Sequence, residues 1–404
     1  MARLSRTTRL IVALGALALL GALGLGFALL RPAEEENPWE FLGPGSYDVT
    51  SLAFDPTTPT TLYAATDYGD VYKSEDGGAT WRYLRQSREV RGFLLAIAPT
   101  TPTTLYVYGR RGVYKSADGG ATWRAVNRGL ELGEMNSVSA LSIDPTNSRV
   151  VFAGTRNGVY KSTDGGESWR KAEGYFPEIN ALSIDPTNSQ VIVAGTRNGV
   201  YKSTDGGETW DRISTWRANA LSIDPANPQV IVAAVSDGVI RSADGGETWR
   251  SADGLPAKPA KDVSSLLRAP TGVMYVSYWE DCSHLYRSTD GGATWSRVDI
   301  ILLASPLDRC PRGSGRTLLL LAVDPNAPAT LYASVSFSSL SGLLRSSDGG
   351  VSWRPAGLHR TVLSLALTPS SLYAGTSRGG VYRSDDRGLT WRAASEGLTG
   401  FSVS

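Results

Sequence analysis

The pattern Ser-x-Asp-x-Gly-x-Thr/Ser-Trp occurs eight times between Ser74 and Trp391, and nothing else in the chain constrains its fold as strongly. Its aspartates are Asp76, Asp118, Asp164, Asp205, Asp244, Asp290, Asp348 and Asp386, spaced 42, 46, 41, 39, 46, 58 and 38 residues apart. Eight of the eleven tryptophans close these copies. A period of this length marks a repeat architecture, in which each copy is one supersecondary unit that buries its faces against its neighbours.

Residues 181–210 show the whole unit: Ala-Leu-Ser-Ile-Asp-Pro, a polar turn, Val-Ile-Val-Ala-Gly, a second turn, Gly-Val-Tyr-Lys-Ser, then the Asp motif and Trp210. With the run after the tryptophan this makes four short strands per unit. Eight such units predict an eight-bladed all-β propeller of four-stranded antiparallel blades over residues 48–397, with a seven-bladed ring as the alternative. The Asp motif then joins strands three and four. Its carboxylate accepts hydrogen bonds within its own turn, glycine supplies positive φ, and the tryptophan lies between blades with its N–H on an acceptor. Repetition assigns the eight aspartates to the scaffold. The last copy reads Asp386-Arg387-Gly388 and lacks one glycine, so strain is expected there.

Ser-Thr-Asp-Gly-Gly-Glu-Thr-Trp (203–210) resembles the Asp-box, or BNR, repeat of sialidases, sortilin-type receptors and xyloglucanases. The longer unit, Asp-Pro-Thr-Asn…Ala-Gly-Thr-Arg-Asn-Gly-Val-Tyr-Lys-Ser, is similar to single-propeller proteins of the photosystem II assembly-factor type. The resemblance implies a propeller scaffold and either a docking role, with photosynthesis as one setting, or carbohydrate chemistry. Sialidases carry an Arg-Ile-Pro signature, which this chain lacks. Xyloglucanases hold two carboxylates in a cleft between two propellers; here there is one propeller, and Glu280, Asp281 and Asp308 are the conceivable acids.

Ahead of the repeats, Arg3, Arg6 and Arg9 precede an uncharged run of 21 residues, 10–30, followed by Glu34, Glu35 and Glu36. At 1.5 Å per residue such a helix spans a hydrocarbon core of about 30 Å. The charge asymmetry places residues 1–9 in the cytoplasm and the propeller outside. We expect a transmembrane anchor at 10–30, a tether at 31–47 and a closing strand or tail at 398–404; a cleaved signal peptide with a secreted propeller is the alternative. An exported domain retains disulfides, and the only cysteines, Cys282 and Cys310, fall on one rim and form a candidate pair.

The net charge of +1 argues against a nucleic-acid partner. His284 and His359 lack ligand spacing, so neither a metal nor a cofactor is expected. Strand alternation puts the Asp-Pro turns and Asp boxes on one rim, and the two-to-three turns with the inter-blade links on the other. That second rim varies between units, as functional loops do. Its turns carry Arg110, Arg111, Arg156, Arg197 and Arg378, and its links add Arg88, Arg217 and Arg360 among others. Arginine suits forked recognition of carboxylates. The expectation is a non-enzymatic platform that binds an acidic or C-terminal protein segment near blades 2–4. Solvated turn arginines, a glycan ligand and a carbohydrate-active hydrolase are the competing readings.

Overall fold

The computed structural model describes residues 48–395 apart from 67–68, 85–91, 110–111, 133–137, 175, 257–260, 270, 280–282, 299–300, 303–304, 307–316, 325–326, 328, 337–340 and 378. Within it, blade 4 shows how the repeat becomes a sheet. Its strands Ile179–Ile184, Ile192–Thr196, Gly199–Ser203 and Asp211–Ser214 pair antiparallel in chain order. The second strand is buried at every position, which fits a strand covered on both faces by neighbouring blades and explains its unbroken apolar run. Eight four-stranded sheets of this order occur, one per Asp box. Their first strands are Val49–Phe54, Gly92–Ile97, Val138–Ile143, Ile179–Ile184, Ala218–Ile223, Lys261–Arg268, Thr317–Val323 and Val362–Leu367. A separate two-stranded ribbon, Ile301–Leu302 with Ser305–Pro306, lies in the long gap before blade 7.

The core is divided into layers between blades. One layer packs Tyr63, Ala65 and Leu84 of blade 1 against Leu105, Val107 and Tyr114 of blade 2. Another joins Leu62, Tyr72 and Trp81 of blade 1 to Tyr373, Val381 and Ala394 of blade 8, and so closes the ring. Across this seam Trp81 Nε1 donates to Ala394 O at 2.5 Å, Tyr373 OH to Gly77 O at 2.9 Å and Ser364 Oγ to Val49 O at 3.1 Å.

The Tyr373 bond is one instance of a latch that the motif alone does not reveal. Tyr106, at the same place in the second strand of blade 2, donates to Gly165 O at 2.9 Å, and Tyr275 of blade 6 to Gly349 O at 3.2 Å. In each case a phenol reaches the Asp box of the next blade. Burial pushes the Tyr106 phenol up to about 12, so it remains a donor. Blades 4 and 5 carry Val193 and Val232 instead. There the third strand supplies the donor: Lys202 Nζ reaches Gly245 O at 2.6 Å and Arg241 Nε reaches Gly291 O at 3.0 Å.

The expected anchor, tether and tail, the Cys282–Cys310 pair, the acids Glu280, Asp281 and Asp308, and Arg88, Arg110, Arg111 and Arg378 all lie outside the described residues. Among the described residues no helix is long and apolar enough to cross a membrane.

Candidate functional site

The two rims differ in what their charged side chains are doing. On the first, every Asp-box carboxylate is occupied by its own turn. Asp118 accepts from Ser116 Oγ at 2.7 Å, Thr122 N at 2.9 Å and Thr122 Oγ1 at 2.6 Å, while Ser116 Oγ accepts from Gly120 N at 2.8 Å. The Thr122 hydroxyl and amide hold this carboxyl down at about 2. At Asp164 burial works in the opposite direction, but the Ser168 hydroxyl and amide outweigh it and the result is again about 2. The Asp-Pro aspartates are committed too: Asp144 accepts from Thr146 N at 2.8 Å and from Ser189 Oγ of the next blade at 2.9 Å. The box and the Asp-Pro turn share this rim, since Gly165 N donates to Arg149 O at 2.7 Å. These carboxylates fasten their own turns. Among the described residues no group of His, Cys, Asp or Glu is arranged to hold a metal.

The copy lacking a glycine adapts in a specific way. Arg387 is the only non-glycine residue with positive φ among the described residues, at 59°. Its carbonyl accepts the Tyr332 latch at 2.9 Å, and its guanidinium forms an ion pair with the buried Asp324 of blade 7.

On the variable rim, blades 3 to 5 bring three of the predicted arginines into one neighbourhood. Arg156 and Arg197 stand at the two-to-three turns of blades 3 and 4, both exposed. Between them lies Glu178, on the link into blade 4. Its carboxylate is 4.0 Å from Arg156 Nη2 and 3.6 Å from Arg197 Nη1, and its carbonyl accepts from Arg197 N at 3.2 Å. Two residues on, Asn180 Nδ2 donates to Ala218 O at 3.1 Å. This contact ties the cluster to the next link, where Trp216 is 39 % exposed and Arg217 is exposed. Beneath the turns Phe176 packs edge-on against Tyr201 and Trp210 and stiffens the base.

Glu178 is not a residue that the sequence pattern singles out. Its trio carries a net charge of +1, from two arginines and one glutamate, rather than the +2 that the turns alone suggest. The available signal was weak: a single acid in a link, outside the repeated positions. A divided guanidinium–carboxylate contact at nearly 4 Å on an exposed surface is worth about 1 kcal/mol or less. An incoming carboxylate can therefore compete for the arginine forks at modest cost.

The family of sortilin, neurotensin receptor 3, matches residues 111–215, and the BNR/Asp-box repeat matches residues 286–297. No curated protein matches. The fold is similar to the GH74 xyloglucanase of Xanthomonas campestris, with a TM-score of 0.57 at 18 % identity over 89 % of this chain and 56 % of that one. This chain thus spans little more than half of that enzyme. The computationally designed Ika8 protein is similar at a TM-score of 0.58 and 14 % identity, over 84 % of this chain and 97 % of that one. YCF48 bound to D1 peptide scores 0.47 at 15 % identity over 87 % and 96 %, too loose a match to bear on function. The eight boxes and, among the described residues, the eight four-stranded blades make the fold a β-propeller built of Asp-box repeats, and the BNR/Asp-box repeat model matches one of them.

Proposed function

We propose that this propeller is a non-enzymatic docking platform, carried outside the cell membrane by a helix at residues 10–30, and that it binds an acidic or C-terminal protein segment on the variable rim of blades 3 to 5. The observation that carries the reading is the Arg156–Glu178–Arg197 cluster beside the exposed Trp216 and Arg217. Exposed arginine forks next to an aromatic anchor are the composition of protein-binding hot spots. The match to a receptor family over 111–215 covers blades 3 and 4, which carry Arg156, Glu178 and Arg197. The membrane part rests on the Arg3, Arg6 and Arg9 flank, the uncharged 10–30 run and the acids behind it. A topology reporter fused at either end of the chain tests that part separately.

The docking test is recovery of partners from solubilised native membranes with the tagged full chain, beside the variant Arg156→Ser/Arg197→Ser/Arg217→Ser. These side chains are exposed, so the variant folds normally. Partners lost selectively from the variant support the reading, and equal recovery sinks it. The competing hydrolase reading makes a different prediction: wild type and variant alike release reducing ends from xyloglucan or related glycans.

A further inference from the structure

A second site lies on the Asp-box rim and is independent of the docking rim. Where the first strands reach the Asp-box rim they flank an open depression with a volume of about 470 Å³. Leu52, Phe54, Ile97, Val323, Leu365 and Leu367 line it, from blades 1, 2, 7 and 8, and Leu267 and Arg268 of blade 6 complete it. Its size falls within the range of small-molecule sites, about 300–1,000 Å³, and apolar walls with one polar group are what such sites show.

The wall is chemically divided. One register position of each first strand faces the residue that forms the latch in the second strand. In blades 1, 2, 6, 7 and 8 it holds Ala53 (opposite Tyr63), Ala96, Leu267, Ala322 and Ala366. In blades 3, 4 and 5 the equivalent residues are Ser142, Ser183 and Ser222, opposite Phe152, Val193 and Val232. The depression draws its lining from the blades that hold alanine or leucine at this position. Arg268 is the only charge in the lining, and its guanidinium is paired with Asp224; their side chains are only 11 % and 16 % exposed. The lining is therefore electrically neutral as it stands, and an anion would have to displace Asp224 from an ion pair that is largely withdrawn from water. Water is poorly held here: room for roughly 15 molecules at about 30 Å³ each faces walls that offer few hydrogen bonds. An apolar occupant releases that water and buries the leucine and phenylalanine faces.

We propose that this depression is a binding site for an uncharged, predominantly apolar small molecule, held by blades 6, 7, 8, 1 and 2. Its volume is that of a small-molecule site. Arg268 Nη1, which already lies 3.5 Å from Met274 Sδ, is the one side-chain donor that a ligand carbonyl or hydroxyl would meet in the lining.

The test is photolabelling of the full-length chain with two diazirine probes of equal length, an alkyl alcohol and the matching alkyl carboxylate, with labelled peptides located by mass spectrometry. The alcohol is expected to mark peptides holding Leu52–Phe54, Ile97 and Leu365–Leu367, and the marking is competed by unlabelled alcohol. The variant Ala53→Ser/Ala366→Ser gives the lining the serines that blades 3 to 5 already tolerate at this position, so it should fold. Two hydroxyls facing an apolar ligand without partners should lower its labelling about tenfold. Three results overturn the proposal: labelling spread evenly over the Ser142, Ser183 and Ser222 peptides, labelling unaffected by the variant, or stronger labelling by the carboxylate. Protection of the site only on self-association, without probe competition, would identify a second copy as the occupant and overturn it equally.

Discussion

Replacing Arg387 by glycine sets three terms against one another, and the structure gives their sizes. The residue holds φ at 59°, where a side chain costs about 1–2 kcal/mol relative to glycine. Glycine relieves that cost but gives the unfolded chain about 0.4–1 kcal/mol of extra entropy. The two backbone terms cancel to within about 1 kcal/mol, which leaves the ion pair to decide the sign. The Asp324 side chain is 6 % exposed and that of Arg387 43 %. Removing one partner of a fully buried pair costs about 3–5 kcal/mol, and an exposed pair is worth about 1 or less. A half-exposed arginine on a buried carboxylate falls between, and the net expectation for Arg387→Gly is a loss of about 1–2 kcal/mol. With a melting entropy near 2.1 cal/mol/K per residue, a domain of roughly 350 residues has about 0.7 kcal/mol/K. The midpoint should therefore fall by roughly 1–3 °C in scanning calorimetry. Arg387→Asn is the control, because asparagine tolerates the left-handed region without the ion pair or the entropy of glycine. In the Asp324→Asn background the Arg387→Gly penalty should shrink to the small backbone remainder. A glycine variant as stable as the native chain, or a penalty unchanged in the Asp324→Asn background, would refute the assignment of this arginine to inter-blade pairing.

Glu178→Gln leaves both arginines of the rim cluster free of their shared carboxylate, so partner retention should strengthen several-fold at low salt and the gain should fade as salt rises, measured by pull-down or biosensor. Tyr106→Phe removes a single inter-blade hydrogen bond and should cost about 0.5–1.5 kcal/mol in denaturant titration; no loss would mean the latch is incidental. Gly129→Ala should be far more damaging, at about 3 kcal/mol or more. This glycine sits at φ 91°, and an added Cβ would lie 2.0 Å from Trp169 O of the next blade. Acid stability follows from the boxes. Asp118, Asp164, Asp290 and Asp386 are held at about 2 in the fold, below the ordinary 3.8. A depressed folded value gives stability that is present above about pH 4 and lost as pH falls toward about 2. Melting temperature should therefore drop across that window, and Asp118→Asn should flatten the dependence while lowering stability at neutral pH.

Much of the scaffold is written locally. Strand runs, turn residues and the Asp box repeat at short fixed offsets, and each box closes on itself: Asp118 finds all its partners between Ser116 and Thr122. Blade count, the sharing of one rim by Asp-Pro turns and boxes, and the anomaly at Arg387 are legible from letters because the interactions behind them span only a few residues. Four short strands in each repeat of this length also imply a propeller ring. What goes between blades is different in kind. The Tyr106 phenol finds its acceptor 59 residues away and the Tyr373 phenol 296 residues away. No local pattern names those acceptors; the angle between adjacent blades does. Glu178 reads as an unremarked acid in a link until the ring sets it between Arg156 and Arg197. The serines of blades 3 to 5 and the alanines and leucine that replace them elsewhere are visible in the chain as single-letter differences. Only ring closure gathers the apolar positions onto one side of the channel, where they form a wall. Short-range order is encoded by residues that touch along the strand and turn, whereas a site assembled from several blades exists only once closure has brought distant repeats face to face.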